Sequence, residues 1–296
     1  MLVYHNKSKK YIYFIKDICD FSDNLSCISY FPQKDDTCLF EMYGCNMVVN
    51  NVVQNTINNT TVSNPCIGLL SERKCIQIIR NCNIEINSNI VINSVIQTPK
   101  LGTSYIENCK IIRNGYVGSD VTSNNSSAIM VQTDCVMTII KNCQVYSPNY
   151  AVACRDNTFI INSELSGNGH GAIYMNASTG KETVPCYIKD SILRLAEPHG
   201  NASTGYVGFG TILFDNCLFT SQNNNYNRIV LKRDTGSYTK AYFSNCDINS
   251  IRVDANCFAY IGLGMTDEIK EIQVDGKIID TQNESYSFNL IEMDGE

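Results

Sequence analysis

Ile79-Arg80-Asn81-Cys82-Asn83-Ile84 is the stretch on which the reading of this 296-residue chain turns. It runs apolar, any residue, Asn, Cys, any residue, apolar. The same pattern, with Asn or Asp third and Cys or Ser fourth, returns at 106–111, 140–145, 160–165, 188–193, 214–219 and 243–248. Met42-Tyr43-Gly44-Cys45-Asn46-Met47 is a looser eighth copy. The third positions (Asn81, Asn108, Asn142, Asn162, Asp190, Asn216, Asn245) are separated by 27, 34, 20, 28, 26 and 29 residues. Self-similarity at such spacing marks a stacked architecture. The segments are short, β-branched and alternating, so the repeating unit is built of strands and not helices. The 35 asparagines disfavour helix and favour turns.

A single turn of such a chain is a flat loop of short strands that cannot bury its inner face alone. Stacking the loops about 4.8 Å apart pairs each strand with the one above and closes a continuous core. Equivalent positions then form columns. One interior column is expected to hold Ile79, Ile106, Ile140, Ile160, Ile188, Phe214 and Phe243. A second holds Cys82, Cys109, Cys143, Ser163, Ser191, Cys217 and Cys246, small residues suited to a tight corner. The Asn column suits a turn with an unusual backbone angle, its amides bonding along the stack.

This pattern resembles the right-handed parallel β-helix of the pectin-lyase-like superfamily, over roughly residues 41–262. The resemblance implies an all-β solenoid of about 7–9 coils. Residues 1–40 and 263–296 are expected to cap its open ends. Lys7 to Lys16 reads as either a strand or an amphipathic cap helix. Ile272 to Ile279 reads as a hairpin turning at Asp275-Gly276. The acidic C-terminal segment (Asp267, Glu268, Glu271, Asp275, Asp280, Glu284) reads as a solvated cap, with an oligomer contact or docking strand as the alternative.

Composition narrows the function classes. Hydrophobic residues are 44% and charged residues 18%, which excludes global disorder. A net charge of -6 excludes a nucleic-acid binder working through bulk positive charge. No apolar run reaches the ~18 residues of a membrane-spanning helix. The first apolar run, Tyr11 to Ile15, is too short for the core of an export signal, so the chain is expected to be made and kept in the cytosol. Its 15 cysteines are accordingly expected to be reduced and buried. There is no Cys-x-x-Cys, and His5, His170 and His199 stand at no metal-ligand spacing; no metal or cofactor is expected.

Ser166 to Tyr174, with Gly169-His170-Gly171 at its centre, is similar to a Gly-His-Gly segment of polygalacturonases, glycosidases on this fold. That resemblance implies carboxylates on the preceding coils, since inverting hydrolysis needs an acid and a base across the sugar. The positions fall instead on Asn149 and Tyr150 and on 125–127, and the family's Arg-x-Lys motif has no clear match. Asp134 and Asp156 lie one turn away. His170 therefore reads as a loop residue between two glycines, with His170, Arg155 and Lys232 the only weak candidates for catalysis. Arg is a poor base at neutral pH.

Alternation in 128–132, 151–155, 172–176, 228–232 and 250–254 places Ile or Val inward. The outward strip is then Met130 and Gln132, Ala153 and Arg155, Tyr174 and Asn176, Val230 and Lys232, Arg252 and Asp254. It is polar, mildly basic, without an acid cluster for calcium, and reads more as solvated surface than as a site. Its polar members with His170 (Gln132, Arg155, His170, Tyr174, Asn176, Lys232, Arg252, Asp254) are the candidate binding residues. Loops 113–127, 176–185 and 196–206 flank it.

Three functional expectations follow. The first is a non-enzymatic structural or receptor-binding component of a virus particle, a phage tail or head appendage assembled in the host cytoplasm. The second is a carbohydrate-active enzyme, a polysaccharide lyase or glycoside hydrolase, secreted. The third is an intracellular scaffold. The resemblance to tailspike β-helices implies a homo-oligomer, a trimer, with other virion proteins and a surface polysaccharide as partners, and neither nucleic acid nor membrane insertion.

Overall fold

The computed structural model describes residues 2–5, 11–14, 19–21, 28–30, 38–50, 55–57, 60–62, 67–69, 75–88, 94–115, 127–167, 171–176, 185–195, 205–221, 228–231, 239–265, 269–273, 275–281 and 284–286. Every regular element among them is a strand. The chain visits three ladders in turn, each built of parallel neighbours, the arrangement of a β-solenoid. Sheet 1 holds Cys38–Tyr43, Cys75–Arg80, Thr103–Glu107, Met137–Lys141, Thr158–Ile161, Cys186–Lys189, Thr239–Ser244, Cys257–Ile261 and Lys277–Asp280. Sheet 2 runs from Cys19–Phe21 through Asn83–Ser88, Lys110–Gly115, Gln144–Ser147 and Glu164–Gly167 to Leu218–Ser221. Sheet 3 runs from Ile28–Tyr30 through Ser94–Gln97, Ser127–Met130, Tyr150–Cys154, Gly171–Asn176, Arg228–Leu231 and Ser250–Val253 to Lys270–Gln273. Sheets 1 and 3 are joined through Gly205–Asp215, whose first half pairs in sheet 3 and second half in sheet 1. Gly210 sits at the bend with φ 107, a backbone angle closed to other residues.

The corner from sheet 1 to sheet 2 is where the repeat lies. All seven third positions, Asn81 through Asn245, have φ between 47 and 56. Gly44 takes the same place in the looser copy, with φ 62. Asn and Asp are the residues besides Gly that visit this left-handed region at low cost. The corner does not interrupt the ladder. Asn142 N–H donates to the Ile161 carbonyl of the next rung (3.0 Å), and Gln144 N–H donates to the Cys109 carbonyl of the rung before (2.9 Å). Side-chain amides add a second ladder: Asn142 Nδ2 donates to Asn108 Oδ1 at 3.0 Å and Asn162 Nδ2 to Asn142 Oδ1 at 2.7 Å.

Behind this corner the columns are as the pattern requires. Ile79, Ile106, Ile140, Ile160, Ile188, Phe214 and Phe243 are all fully buried. Phe214 stacks on Phe243 with ring centroids 5.1 Å apart and planes at 10°. The thiol column is buried from Cys45 to Cys246. Each thiol turns back to the carbonyl two residues earlier, Cys143 Sγ to Lys141 O at 3.2 Å for example. Where serine substitutes, the hydroxyl does the same and also accepts from the rung below: Ser163 Oγ donates to Ile161 O and accepts from Cys143 N–H.

Three expectations change. Ile272 to Ile279 is not a hairpin. Lys270–Gln273 pairs in parallel with Ser250–Val253, and Lys277–Asp280 with Cys257–Ile261, so Asp275 (φ 60) turns a corner of the stack. The Asp-Gly signal was sound as a turn, but a solenoid corner needs the same left-handed residue as a hairpin does. Within the N-terminal stretch left open between strand and helix, Tyr11–Phe14 is a strand, antiparallel to Leu2–His5. Finally, Arg113 is not the start of a loop: it lies within the strand Lys110–Gly115.

Candidate binding faces

The outward strip of sheet 3 is real as a column. Register aligns Gln97, Met130, Ala153 and Tyr174, and then Val230 with Arg252. It is not a solvated surface, however. On this outer side Ala153, Tyr174 and Val230 are 3%, 8% and 8% exposed, while Ala128, Ala151 and Ala172 belong to the core. Tyr174 is in tilted contact with Tyr150 at 5.3 Å on this face.

The candidate residues divide by position. Arg155 is half-buried at the end of its strand, close enough to Tyr174 and Asp156 for both to act on its charge. Burial pulls its guanidinium below the ordinary arginine value, while those neighbours oppose the shift. Asp156 is itself only 7% exposed. Gln132 is half-buried, its N–H donating to Thr98 Oγ1 at 3.0 Å. Arg252 and Asp254 form an ion pair with each other at 2.9 Å, so this end of the strip is neutralised. Asn176 ends the strand Gly171–Asn176 after a register shift. His170 and Lys232 lie outside the described residues. The structure thus brings Arg155 and Tyr174 together, with Asp156, sets Gln132 on the rung directly before Arg155, and leaves the Arg252–Asp254 pair several rungs away. Of the two positions where the polygalacturonase resemblance implied carboxylates, Asn149 and Tyr150 are both buried. Among the described residues no group of three or more His, Cys, Asp or Glu is placed to hold a metal ion.

A second face escaped the sequence reading. On the outside of sheet 1, register lines up Ile78, Tyr105, Ile139, Phe159, Tyr187, Leu213, Tyr242, Tyr260 and Ile279. Nine consecutive rungs carry a large apolar or aromatic side chain pointing away from the core. Phe159 and Tyr187 are nearly buried, and the others half-buried. Tyr242 and Tyr260 stack at 4.4 Å with planes at 9°, and Tyr286 closes on Tyr242 edge-on at 4.9 Å. A column of charges runs beside the stripe and pairs along itself. Arg80 Nε meets Glu107 Oε2 at 2.7 Å, and Asp215 receives both Lys189 and the Tyr187 hydroxyl. The signal was present one residue before the six-residue pattern: Ile78, Tyr105, Ile139, Phe159, Tyr187, Leu213 and Tyr242 each precede its first apolar position. A window opened at the inward residue excluded its outward neighbour.

Comparison with protein-family models, with curated proteins and with solved structures gave no match.

Proposed function

We propose that the chain is a non-enzymatic structural or receptor-binding component of a virus particle, a phage tail or head appendage. In this reading it is a right-handed β-helix of the pectin-lyase-like kind that works as a homo-oligomer, a trimer of parallel solenoids. The observation that carries the reading is the apolar stripe on the outside of sheet 1. Nine rungs at about 4.8 Å make a band close to 40 Å long. Flanked by side chains to a width near 20 Å, it offers on the order of 800 Å2 per partner, the size of a stable interface. Seven of its nine side chains are partly exposed, and an apolar row of this length is uncommon on a monomer. Its charges are already paired along their own column, so association costs little desolvation of lone ions.

The sheltered strip of sheet 3, with Arg155 and Tyr174 side by side, is the face this reading gives to a surface polysaccharide: an aromatic ring and a half-buried cation suit a sugar face and its acidic substituents. Two experiments test the proposal. Mass spectrometry on purified particles from the source, or from an induced lysate, is expected to find this chain at fixed stoichiometry. Light scattering on the isolated chain is expected to give a trimer, and Tyr242→Lys is expected to dissociate it. Absence from particles together with a monomeric chain would sink the reading and favour the carbohydrate-active alternative. A polysaccharide-cleavage screen with Arg155→Ala would then follow.

A further inference from the structure

The Asn column at the corner from sheet 1 to sheet 2 has one exception. Of its seven positions only 190 is an acid. Asp190 keeps the backbone of its neighbours: its φ is 50, against 47 at Asn162 and 52 at Asn216. The peptide ladder also runs through it, since Asn162 N–H donates to Lys189 O and Asp190 N–H to Asp215 O, both at 3.0 Å. The acid therefore changes the side-chain ladder and leaves the backbone as it is.

In that side-chain ladder the amide of the later rung donates to the oxygen of the earlier one. Asn142 Nδ2 reaches Asn108 Oδ1 at 3.0 Å, Asn162 Nδ2 reaches Asn142 Oδ1 at 2.7 Å, and Asn216 Nδ2 reaches Asp190 Oδ1 at 2.7 Å. A carboxylate has no N–H to donate. At the step from Asn162 to Asp190 the ladder stops. An amide oxygen there faces a carboxylate, with rungs ~4.8 Å apart holding acceptor beside acceptor. Among the described residues nothing donates to Asn162 Oδ1 or to the second oxygen of Asp190. A groove of about 290 Å3 opens at this same step. The Asn ladder lines one side. Gln144, Glu164 and Ile192, register partners that begin three strands of sheet 2, line the other. Glu164 Oε1 is already met by Arg194 Nε at 3.1 Å, so the carboxylate of Asp190 is the charge the groove leaves uncompensated. Ile192 is half-buried and gives the groove one apolar member on the rung of Asp190.

We propose that this groove binds a primary ammonium group carried on an alkyl stem. An ammonium has three N–H donors and no acceptor. It supplies the donor that the ladder lacks between Asn162 and Asp190, and its charge offsets the carboxylate. The methylenes of the stem lie along Ile192 while the head stays among the oxygens. A guanidinium fits less well, because its fork matches both oxygens of one carboxylate and Asp190 already gives one to Asn216. A divalent metal is poorly served, since among the described residues no group of three or more His, Cys, Asp or Glu is placed to hold one. A lysine side chain of a partner protein and a free aliphatic diamine share the chemistry the groove selects.

The test follows the amide resonances of residues 162–164 and 190–192 in the full chain while a probe is added. One series uses the lysine derivative acetyl-lysine methylamide, a second uses 1,4-diaminobutane, and a third the norleucine analogue of the first, which lacks the ammonium. Saturable shifts centred on these residues are expected with both amines, at dissociation constants on the order of 1–10 mM, and none with the norleucine analogue. Tighter binding of the lysine derivative assigns the groove to a partner protein, and tighter binding of the diamine to a free amine. Asp190→Asn restores a donor to Asn162 and keeps an acceptor for Asn216. It should raise the melting temperature by about 2–4 °C and weaken amine binding about tenfold. Glu164→Gln leaves the ladder broken, so it should weaken binding about threefold without that rise. The absence of any shift with either amine overturns the site, as does equal binding of the norleucine analogue. An Asp190→Asn chain that melts no higher than the wild type and binds the amines as tightly overturns it too. Calcium chloride giving the same shifts at far lower concentration would make the groove a metal site and overturn the ammonium assignment.

Discussion

The two corners on either side of sheet 2 are built on opposite plans. At the corner from sheet 1, two residues suffice on seven successive rungs: one left-handed Asn or Asp and one buried Cys or Ser. At the corner toward sheet 3, the connection is short between Ser147 and Tyr150 and long between Gly115 and Ser127. Backbone hydrogen bonds run unbroken through the first corner, while the second buries a cation and leaves polar atoms unpartnered. The contrast separates two tasks. A corner repeated without change sets the spacing of the stack and carries its stability. A corner free to vary in length admits groups that stability alone would not select.

The largest expected effect comes from breaking the column behind the regular corner. Phe214 is fully buried, stacked on Phe243 and edge-on to Phe219 at 5.2 Å. Phe214→Ala should cost about 3–5 kcal/mol, the transfer term plus the void that neighbouring rings cannot fill. Because each rung touches only its neighbours, the loss should appear first as local unfolding around the Phe214 rung. Hydrogen exchange that quickens near 214–243 and stays slow near 79–111 would match this. A uniform acceleration along the chain would mean that the solenoid melts as one unit.

Asn142→Ala comes next. It strains a backbone held at φ 54, at about 1–2 kcal/mol, and removes amide bonds to Asn108 and Asn162. Asn142→Gly removes the same amide bonds without the strain. Alanine should therefore be the worse substitution in urea titrations. Equal losses would mean that the ladder, and not the backbone angle, makes Asn necessary there.

The legibility of these features follows the same contrast. The Ile and Phe, Cys and Asn columns can be read from the chain because one position performs one physical task on every rung. The turn at Asp275 is misread because its chemistry is shared by hairpins and solenoid corners. The stripe outside sheet 1 hides because it flanks the inward residue, and apolar pairs such as Tyr105-Ile106 and Tyr242-Phe243 look like one buried run. Arg113 resembles the polar start of a long loop until register shows which way its strand faces. On sheet 3, alternation puts Ile129, Val152 and Ile173 in the core correctly, yet Ala128, Ala151 and Ala172 join them there, and Ala153 and Tyr174 are covered from outside, tertiary facts that no alternation reports.

The thiol column carries a pH dependence. Hydrogen bonding with Cys143 and burial push the Cys109 thiol up to about 12. A thiol whose folded value is raised adds stability that is fully present below its unfolded value, near 8.5. That contribution is lost as pH rises toward 12, because the unfolded chain releases a proton that the folded chain keeps. Stability is expected to be level from pH 7 to about 8.5 and to fall above it, with a shallower fall in Cys109→Ser. At pH 8 without denaturant, Cys82, Cys109, Cys217 and Cys246 should resist alkylation. Rapid labelling of most of them would contradict a closed interior.

The smallest effect is expected on sheet 2 itself, one rung pair from the irregular corner. Arg194 Nε meets Glu164 Oε1 at 3.1 Å, but the two side chains are 46% and 38% exposed. In solvent such a pair gains little over its separate hydrated ions and gives up side-chain freedom to form. Arg194→Ala should change stability by less than about 0.5 kcal/mol, and by less still in salt on the order of 0.5 M, where exposed charges are screened. Arg113 and Arg194 belong to the same sheet and differ only in which side of the strand they occupy. The comparison therefore isolates direction from chemistry: an arginine turned outward is nearly neutral, while one turned inward demands a partner. A loss from Arg194→Ala comparable to that from Arg113→Met would mean that the outer face of sheet 2 is itself covered, and that inward direction is not what makes Arg113 exceptional.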